Sequence, residues 1–294
     1  MQLTADIPVA PELPTSITLE GGKGELGHGG HSQLQRGYDH QTDCRVAVKF
    51  LDGEMAKCHD YRERLRREAE WLYRIDDKRV PRLYTYVDSC DPCIVMEYVD
   101  GESLKERIDD QSKPRLTAPE LQHIGAEVAD VLVGTHAAGI VDRDITPGNI
   151  MIDSDDGVHV VDFGIATDRP FWGQEPTLSM APVGDSLTAT GSILGTLGCV
   201  APEVLEFQPL SPQVDVYGLG ATLYCAAVGH APFEATTVRD LANKQRTEDI
   251  QPMAQLRPDI PAELSETIDQ ALAMDPRDRP NPIEFKEALL AVAA

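Results

Sequence analysis

Five polar residues, Lys49 and Glu68 on faces where an unpaired charge is costly and Asp144, Asn149 and Asp162 in loops where each alone could be a turn residue, suggest one chemistry by their order along the chain. Lys49 lies in Arg45-Val46-Ala47-Val48-Lys49-Phe50, an alternating run with Val46 and Val48 on one face and Ala47 and Lys49 on the other. An ammonium in mid-strand is expensive to bury unless an anion meets it. Glu68 follows three residues after Leu65 and four before Leu72, in a segment where Tyr61, Leu65, Ala69 and Leu72 recur at helical spacing. That spacing puts its carboxylate on the inward stripe of a helix, with Lys49 as its cation or, alternatively, a surface arginine such as Arg64. Asp144 and Asn149 in Ile140-Val141-Asp142-Arg143-Asp144-Ile145-Thr146-Pro147-Gly148-Asn149, and Asp162 in Val161-Asp162-Phe163-Gly164, supply hard oxygen donors and a base from two loops. Such donors suit Mg2+ bound jointly with the phosphates of a nucleotide. Upstream, Gly27, Gly29 and Gly30 would let backbone N–H groups close on phosphate oxygens. A Gly-rich hairpin turn with no ligand fits that stretch equally well.

These groups need rigid elements beneath them. Alternation predicts a strand over 45–50, and helical spacing predicts a helix from about His59 to Ile75. Arg82 to Asp88 and Ile94 to Tyr98 read as a hairpin pair around Ser89-Cys90-Asp91-Pro92. After Gly101 the character changes: a helix from about Pro119 to Ala138 carries Leu121, Ile124, Val128 and Leu132, and helices dominate from Ser211 onward. The first 20 residues, broken by Pro8, Pro11 and Pro14, read as an extended arm. Residues 168–195, rich in Gly, Pro, Ser and Thr, read as a long irregular loop. A small strand-rich lobe thus precedes a larger helical one.

Taken in order, the motifs resemble the eukaryotic-like protein serine/threonine kinase family, nearest to its bacterial members, over about residues 18–292. They are the Gly-rich loop, Ala47-Val48-Lys49, Arg67-Glu68-Ala69, Met96-Glu97-Tyr98-Val99, the 140–149 loop and Asp162-Phe163-Gly164. Gly195-Thr196, Ala201-Pro202-Glu203, Asp215-Val216-Tyr217-Gly218-Leu219-Gly220 and Asp275-Pro276-Arg277-Asp278-Arg279-Pro280 complete the series. The resemblance implies an α+β, two-lobed protein kinase fold behind an extended arm of residues 1–17. Its small antiparallel-sheet lobe would span 18–97, its hinge 97–101 and its larger helical lobe 102–292.

The resemblance also implies transfer of the ATP γ-phosphate to Ser or Thr hydroxyls of proteins, with ATP and Mg2+ as cofactors. Gly27, Gly29 and Gly30 would cover the phosphates, and Lys49, paired with Glu68, would hold the α- and β-phosphates. Leu34, Ala47 and Met151 would sandwich the adenine, the backbone at Glu97 and Val99 would read its edge, and Met96 would gate a back pocket. Asp144 would act as base, Asn149 and Asp162 would bind Mg2+, and Glu203 would pair with Arg279. Thr188 and Thr190 are the implied autophosphorylation sites, with Arg143 meeting the new phosphate, in a homodimer for trans-autophosphorylation. Three residues depart from the family pattern. Ser32 replaces a third glycine, Asp142 replaces a histidine, and Thr146 replaces a lysine that touches the γ-phosphate and the base. Because of these departures, a nucleotide-binding pseudokinase acting as an interaction module stands as the alternative.

The charge balance narrows the choice of partner. The chain carries 26 Lys and Arg against 49 Asp and Glu, net −23, of which residues 98–294 hold −19. Nucleic acid is a poor partner for such a surface. A solvated, salt-adapted surface is the plain explanation; the sharper one is a preference for protein substrates with basic residues near the target hydroxyl. No apolar run is long enough for a transmembrane helix, and the N-terminus lacks the charge and apolar pattern of a signal peptide. Six irregularly spaced cysteines read as reduced thiols of a cytoplasmic protein. Cys90 and Cys93 read as two plain thiols in a turn, His28 and His31 as ordinary loop histidines, and Arg62, Arg64, Arg66 and Arg67 as a solvated helix face.

Overall fold

A computed structural model describes residues 7–21, 24–28, 32–164 and 197–292. Its contacts divide these into one unit of residues 7–100 with 162–164 and a second of 101–161 with 197–292.

The first unit is built on alternation. It contains β1 (Val9–Ala10), β2 (Ile17–Leu19), β3 (Glu25–His28), β4 (Ser32–Asp39), β5 (Cys44–Leu51), α1 (His59–Arg74), β6 (Leu83–Val87) and β7 (Cys93–Glu97). The strands form one seven-stranded sheet in the order β1-β6-β7-β5-β4-β2, with β3 paired to β4. All pairs are antiparallel except β1 with β6. Val46 and Val48 bury with Val87, Cys93 and Val95 on one face, and Ala10, Leu13, Ile17, Cys44 and Phe50 pack against them. The predicted strand and hairpin are therefore present, each with ends shifted by a residue or so. The stretch read as an extended arm is woven into the sheet. Val9 and Ala10 pair with Tyr86 and Val87 at one edge, and Ile17–Leu19 pair with β4 at the other. The residues between cross the valine face, where Leu13 packs.

The second unit carries β8 (Gly101–Ser103), α2 (Leu104–Asp109), α3 (Ala118–Ala137), β9 (Ile150–Asp153), β10 (Val158–Val160), α4 (Pro202–Leu205), α5 (Gln213–Val228), α6 (Val238–Thr247), α7 (Met253–Leu256), α8 (Ala262–Ala271) and α9 (Pro282–Ala291). The starts of α2, α3 and α9 carry capping boxes, Ser103 with Glu106, Thr117 with Glu120 and Asn281 with Glu284. Each satisfies helix N–H groups that would otherwise lack acceptors. From Val214 to Val228 every residue of α5 is buried, so this helix is the core element around which α3, α8 and α9 pack. The loop expected at 168–195 lies outside the described residues.

Candidate active site

In the first unit, β5 alternation turns Lys49 away from the valine face, and its side chain meets two carboxylates. Its Nζ donates to Glu68 Oε1 at 2.7 Å and to Asp162 Oδ1 at 2.7 Å. The inward carboxylate of α1 therefore finds Lys49 rather than Arg64, whose guanidinium lies over the ring of Tyr61. Asp162 has a left-handed backbone (φ 69°) and accepts the Gly164 N–H at 2.9 Å. A larger residue at 164 would crowd the cluster, because a Cβ there would stand 2.9 Å from Asp162 Oδ1 and 3.3 Å from both Glu68 Oε2 and Lys49 Nζ.

One ammonium shared by two carboxylates sets the protonation of the cluster. Burial pushes Glu68 up to about 7, with repulsion from Asp162 adding to it against the pull of Lys49. Burial would lower Lys49, but attraction to Asp162 and Glu68 outweighs it and holds the ammonium above its usual range. Asp162 is less enclosed than Glu68, and the desolvation that would raise it is outweighed by Lys49 and the Gly164 N–H, so it falls below its usual value. The cluster is net negative when ionised, and the Asp162 side chain stays 41% exposed. An accessible hard-oxygen donor in a net-negative group fits a divalent cation such as Mg2+.

In the second unit one face of α5 holds the loop that carries Asp144. Asp215, 1% exposed, accepts the backbone N–H groups of Asp142 (3.0 Å) and Arg143 (2.6 Å). Its Oδ2 also lies 2.7 Å from His136 Nε2 at the end of α3. Three residues on, Gly218 lets the loop approach, since a Cβ there would stand 3.0 Å from the Ile145 carbonyl oxygen. Thr222 Oγ1 donates to that carbonyl at 3.2 Å. Positions 215, 218 and 222 share one helical face. Within the loop, Arg143 adopts φ 69°. Asn149 Nδ2 donates to Asp144 Oδ2 at 2.9 Å and to the Asp144 carbonyl at 3.0 Å. The Asn149 amide oxygen is thereby turned away from Asp144. Asp142 and Thr146 are both buried.

Glu203 at the start of α4 makes a bidentate pair with Arg279 at 2.6 and 2.8 Å. Arg279 further donates to the carbonyls of Ala273, Gln213 and Met274 and lies over the Tyr217 ring. The buried pair fixes α4 to α5.

The remaining candidate residues fall as follows. Gly27 lies in β3 opposite Leu34, and Leu34 lies opposite Lys49. Ala47 lies opposite Met96, Glu97 ends β7, and Met151 lies in β9 of the second unit. Gly29, Gly30, Thr188 and Thr190 lie outside the described residues. Sequence reasoning missed His136 and the loop-holding role of Asp215. The available signal was a single aspartate at the head of an otherwise apolar helical run. Reading Arg62 as part of a solvated face is also corrected: its guanidinium bonds to Ala56, Asp88 and Ser89.

Residues 22–290 match the protein kinase domain family model. Serine/threonine-protein kinase PknB of Mycolicibacterium smegmatis is 31% identical over 261 residues, 86% of this chain and 39% of the relative. A probable serine/threonine-protein kinase of Clostridium acetobutylicum is 30% identical over 256 residues, 87% of this chain and 37% of the relative. PknL of Mycobacterium tuberculosis is 29% identical over 258 residues, 87% and 60% respectively. The chain thus spans about two fifths of the length of the first of these relatives.

Proposed function

The chain belongs to the protein kinase domain family, of the bacterial serine/threonine type, and from that premise we propose that it transfers the γ-phosphate of ATP to Ser and Thr hydroxyls of proteins. Kinases of this family act on ATP with Mg2+. The observation that carries the proposal is the Lys49, Glu68 and Asp162 cluster, a buried ammonium oriented by one carboxylate beside a second that is open to a metal.

In this reading Lys49 meets the α- and β-phosphates while Glu68 fixes its direction, and the backbone at Gly27, Gly29 and Gly30 covers the phosphate chain. Leu34, Ala47 and Met151 take the adenine faces, the backbone of Glu97 and Val99 takes its edge, and Met96 limits the space behind it. Asp162 and Asn149 are the residues that would hold Mg2+, which when bound draws charge from the transferring phosphoryl group. The substrate hydroxyl oxygen bonds to the γ-phosphorus as the bond to ADP breaks, and its proton passes to Asp144. The Asn149 amide bond to Asp144 supports that role by fixing the carboxylate. Lys49→Met and Asp144→Asn are expected to fold and to lose transfer by at least roughly 10²-fold. An Asp144→Asn chain as active as the parent overturns the proposal.

The proposal extends to autophosphorylation in a homodimer at Thr188 and Thr190, with Arg143 binding the new phosphate. Mass spectrometry after incubation with Mg-ATP should find phosphate within 185–196; phosphate only elsewhere counts against it. The excess of acidic over basic residues after residue 97 supports a preference for substrates with Lys or Arg near the hydroxyl. That advantage should fade with added salt. Among the described residues no helix is long and apolar enough to cross a membrane, and all six cysteines are free thiols. A second reading, a nucleotide-binding pseudokinase, draws support from Asp142 and Thr146. It requires Mg-ATP binding with no phosphate transfer.

A further inference from the structure

Helix α1 carries Glu68, and its fully buried side chains lie in its later half. Its buried residues begin only at Leu65 and continue with Glu68, Ala69, Trp71 and Leu72, and the Cys58 side chain gives no cap. The apolar stripe therefore anchors the later half of the helix. At the other end Arg62 reaches out of the helix altogether. Its Nη1 donates to the Ala56 carbonyl (3.2 Å), between β5 and α1, and to the Ser89 carbonyl (2.8 Å), in the β6–β7 turn. Its Nη2 pairs with Asp88 Oδ1 at 2.7 Å. Asp88 is itself fixed, because its N–H bonds to the Ala10 carbonyl of β1 at 3.0 Å.

We propose that Arg62 is a positioning residue that sets the rotation and height of α1 so that Glu68 meets Lys49. The proposal rests on the kinase reading for the role of Lys49. Arg62 and Glu68 are six residues apart, about 9 Å along the helix and about 240° around it. Contacts on different sides and at different heights together block both rotation and sliding. With the carboxylate about 6 Å from the axis, a rotation of about 20° displaces it by about 2 Å, enough to break the 2.7 Å ion pair. Of the neighbouring arginines, Arg66 pairs with Glu70 at 3.3 Å and Arg64 lies over the Tyr61 ring. Two carbonyls and a carboxylate are served by one planar fork, which a lysine cannot reproduce in full.

The test reads the ion pair directly. Acetylation of Lys49 by acetic anhydride, followed by mass spectrometry, is compared in the parent, Arg62→Ala and Arg62→Lys, and for Arg62→Ala in a Glu68→Gln background. The value of kcat/KM for ATP is measured on the same proteins. Arg62→Ala is expected to raise Lys49 labelling at least threefold and to lower kcat/KM about tenfold, with partial recovery in Arg62→Lys. In the Glu68→Gln background the same substitution should change either quantity less than twofold, because the partner it positions is gone. An undiminished effect in that background means that Arg62 serves only the general structure, and overturns the proposal. Unchanged Lys49 labelling in Arg62→Ala overturns it as well. A parent chain without phosphate transfer would sink the kinase reading, while the labelling would still decide the role of Arg62. If Arg62→Ala does not fold, Asp88→Ala removes one arm of the contact. It should raise labelling in the same direction by a smaller factor, and no rise there also refutes the proposal.

Discussion

Asp215→Asn isolates the support of the loop that carries Asp144, because it keeps shape and removes one acceptor. The carboxylate has three donors, the N–H groups of Asp142 and Arg143 and the His136 imidazole. An asparagine must turn its NH2 toward one side or the other. Facing Arg143, it opposes the donor now bound at 2.6 Å. Facing the other side, it can donate to His136 if the imidazole changes tautomer, but it then opposes the Asp142 N–H. Either way one buried backbone N–H of the loop loses its acceptor. That costs about 1–3 kcal/mol, and losing the charge from the remaining bonds adds about 1 kcal/mol more. At about 2–4 °C per kcal/mol for a domain of 150–250 residues, the melting temperature should fall by about 4–16 °C. The catalytic consequence is separate. Arg143 is held at φ 69°, a conformation worth about 1–3 kcal/mol of strain, so a loop with one bond fewer relaxes away from it. A shift of about 1 Å in Asp144 would cost on the order of 10²-fold in kcat. KM for ATP should change little, because Lys49 and Glu68 belong to the other unit. Steady-state kinetics with thermal unfolding on the same protein separates the effects. Lowered stability with parental kcat would show that Asp215 does not place Asp144.

Three further outcomes are expected. Arg279→Met strands the buried Glu203 carboxylate, and should cost about 3–5 kcal/mol in urea unfolding, whereas exchanging both partners for apolar residues should cost far less. Glu68 keeps its proton up to about 7 in the folded chain and to about 4.3 when unfolded; its stabilising contribution is thus present below the unfolded value and lost as pH rises through 7, so the stability of the parent relative to Glu68→Gln should decline between about pH 4.3 and 7 in nucleotide-free protein. Thr146→Lys should restore one charge-assisted contact worth about 2–3 kcal/mol and raise turnover about 30- to 150-fold with ATP binding little changed, and a response only when Asp142→His is added would mean that Asp142 has displaced the loop.

What the sequence disclosed and what it hid follow different physics. The strand under Lys49 and the helix under Glu68 were legible because their apolar periods are strong and their polar exceptions few. The Lys49–Glu68 meeting was legible because each is a charge on a buried face, and such charges need partners. The arm was only half legible. Prolines at 8, 11 and 14 announce extended chain, but parallel pairing of β1 with β6 depends on residues more than seventy positions away. Arg62 was misread because an arginine beside Arg64, Arg66 and Arg67 has the composition of a solvated face. Its partners are mostly backbone carbonyls, and these leave no mark in a sequence. The left-handed backbones of Arg143 and Asp162 were equally hidden, since neither is glycine.

The buried carboxylates Glu203 and Asp215 differ in kind from Glu68 with its neighbour Asp162, and the distinction bears on which of them do chemistry. Glu203 is matched by a bidentate arginine, and Asp215 by three donors aimed at its two oxygens. A group so fully matched is a fixed strut: changing it should change shape first and reactivity second. In the first unit the numbers do not match, for Glu68 and Asp162 compete for one ammonium. Such a cluster responds to a proton, to a cation, or to a phosphate that draws Lys49 away, because each changes how the remaining charges are shared. Asp162, held low by Lys49 against the pull of burial and partly exposed, is the member that would take a cation under the proposed function. Glu68, buried and pushed up to about 7, is the member that holds or releases the proton. The under-matched cluster is therefore where ligand binding should alter protonation, and proton uptake or release on adding Mg-ATP should be smaller in Glu68→Gln than in the parent but unchanged in Arg279→Met if that variant folds.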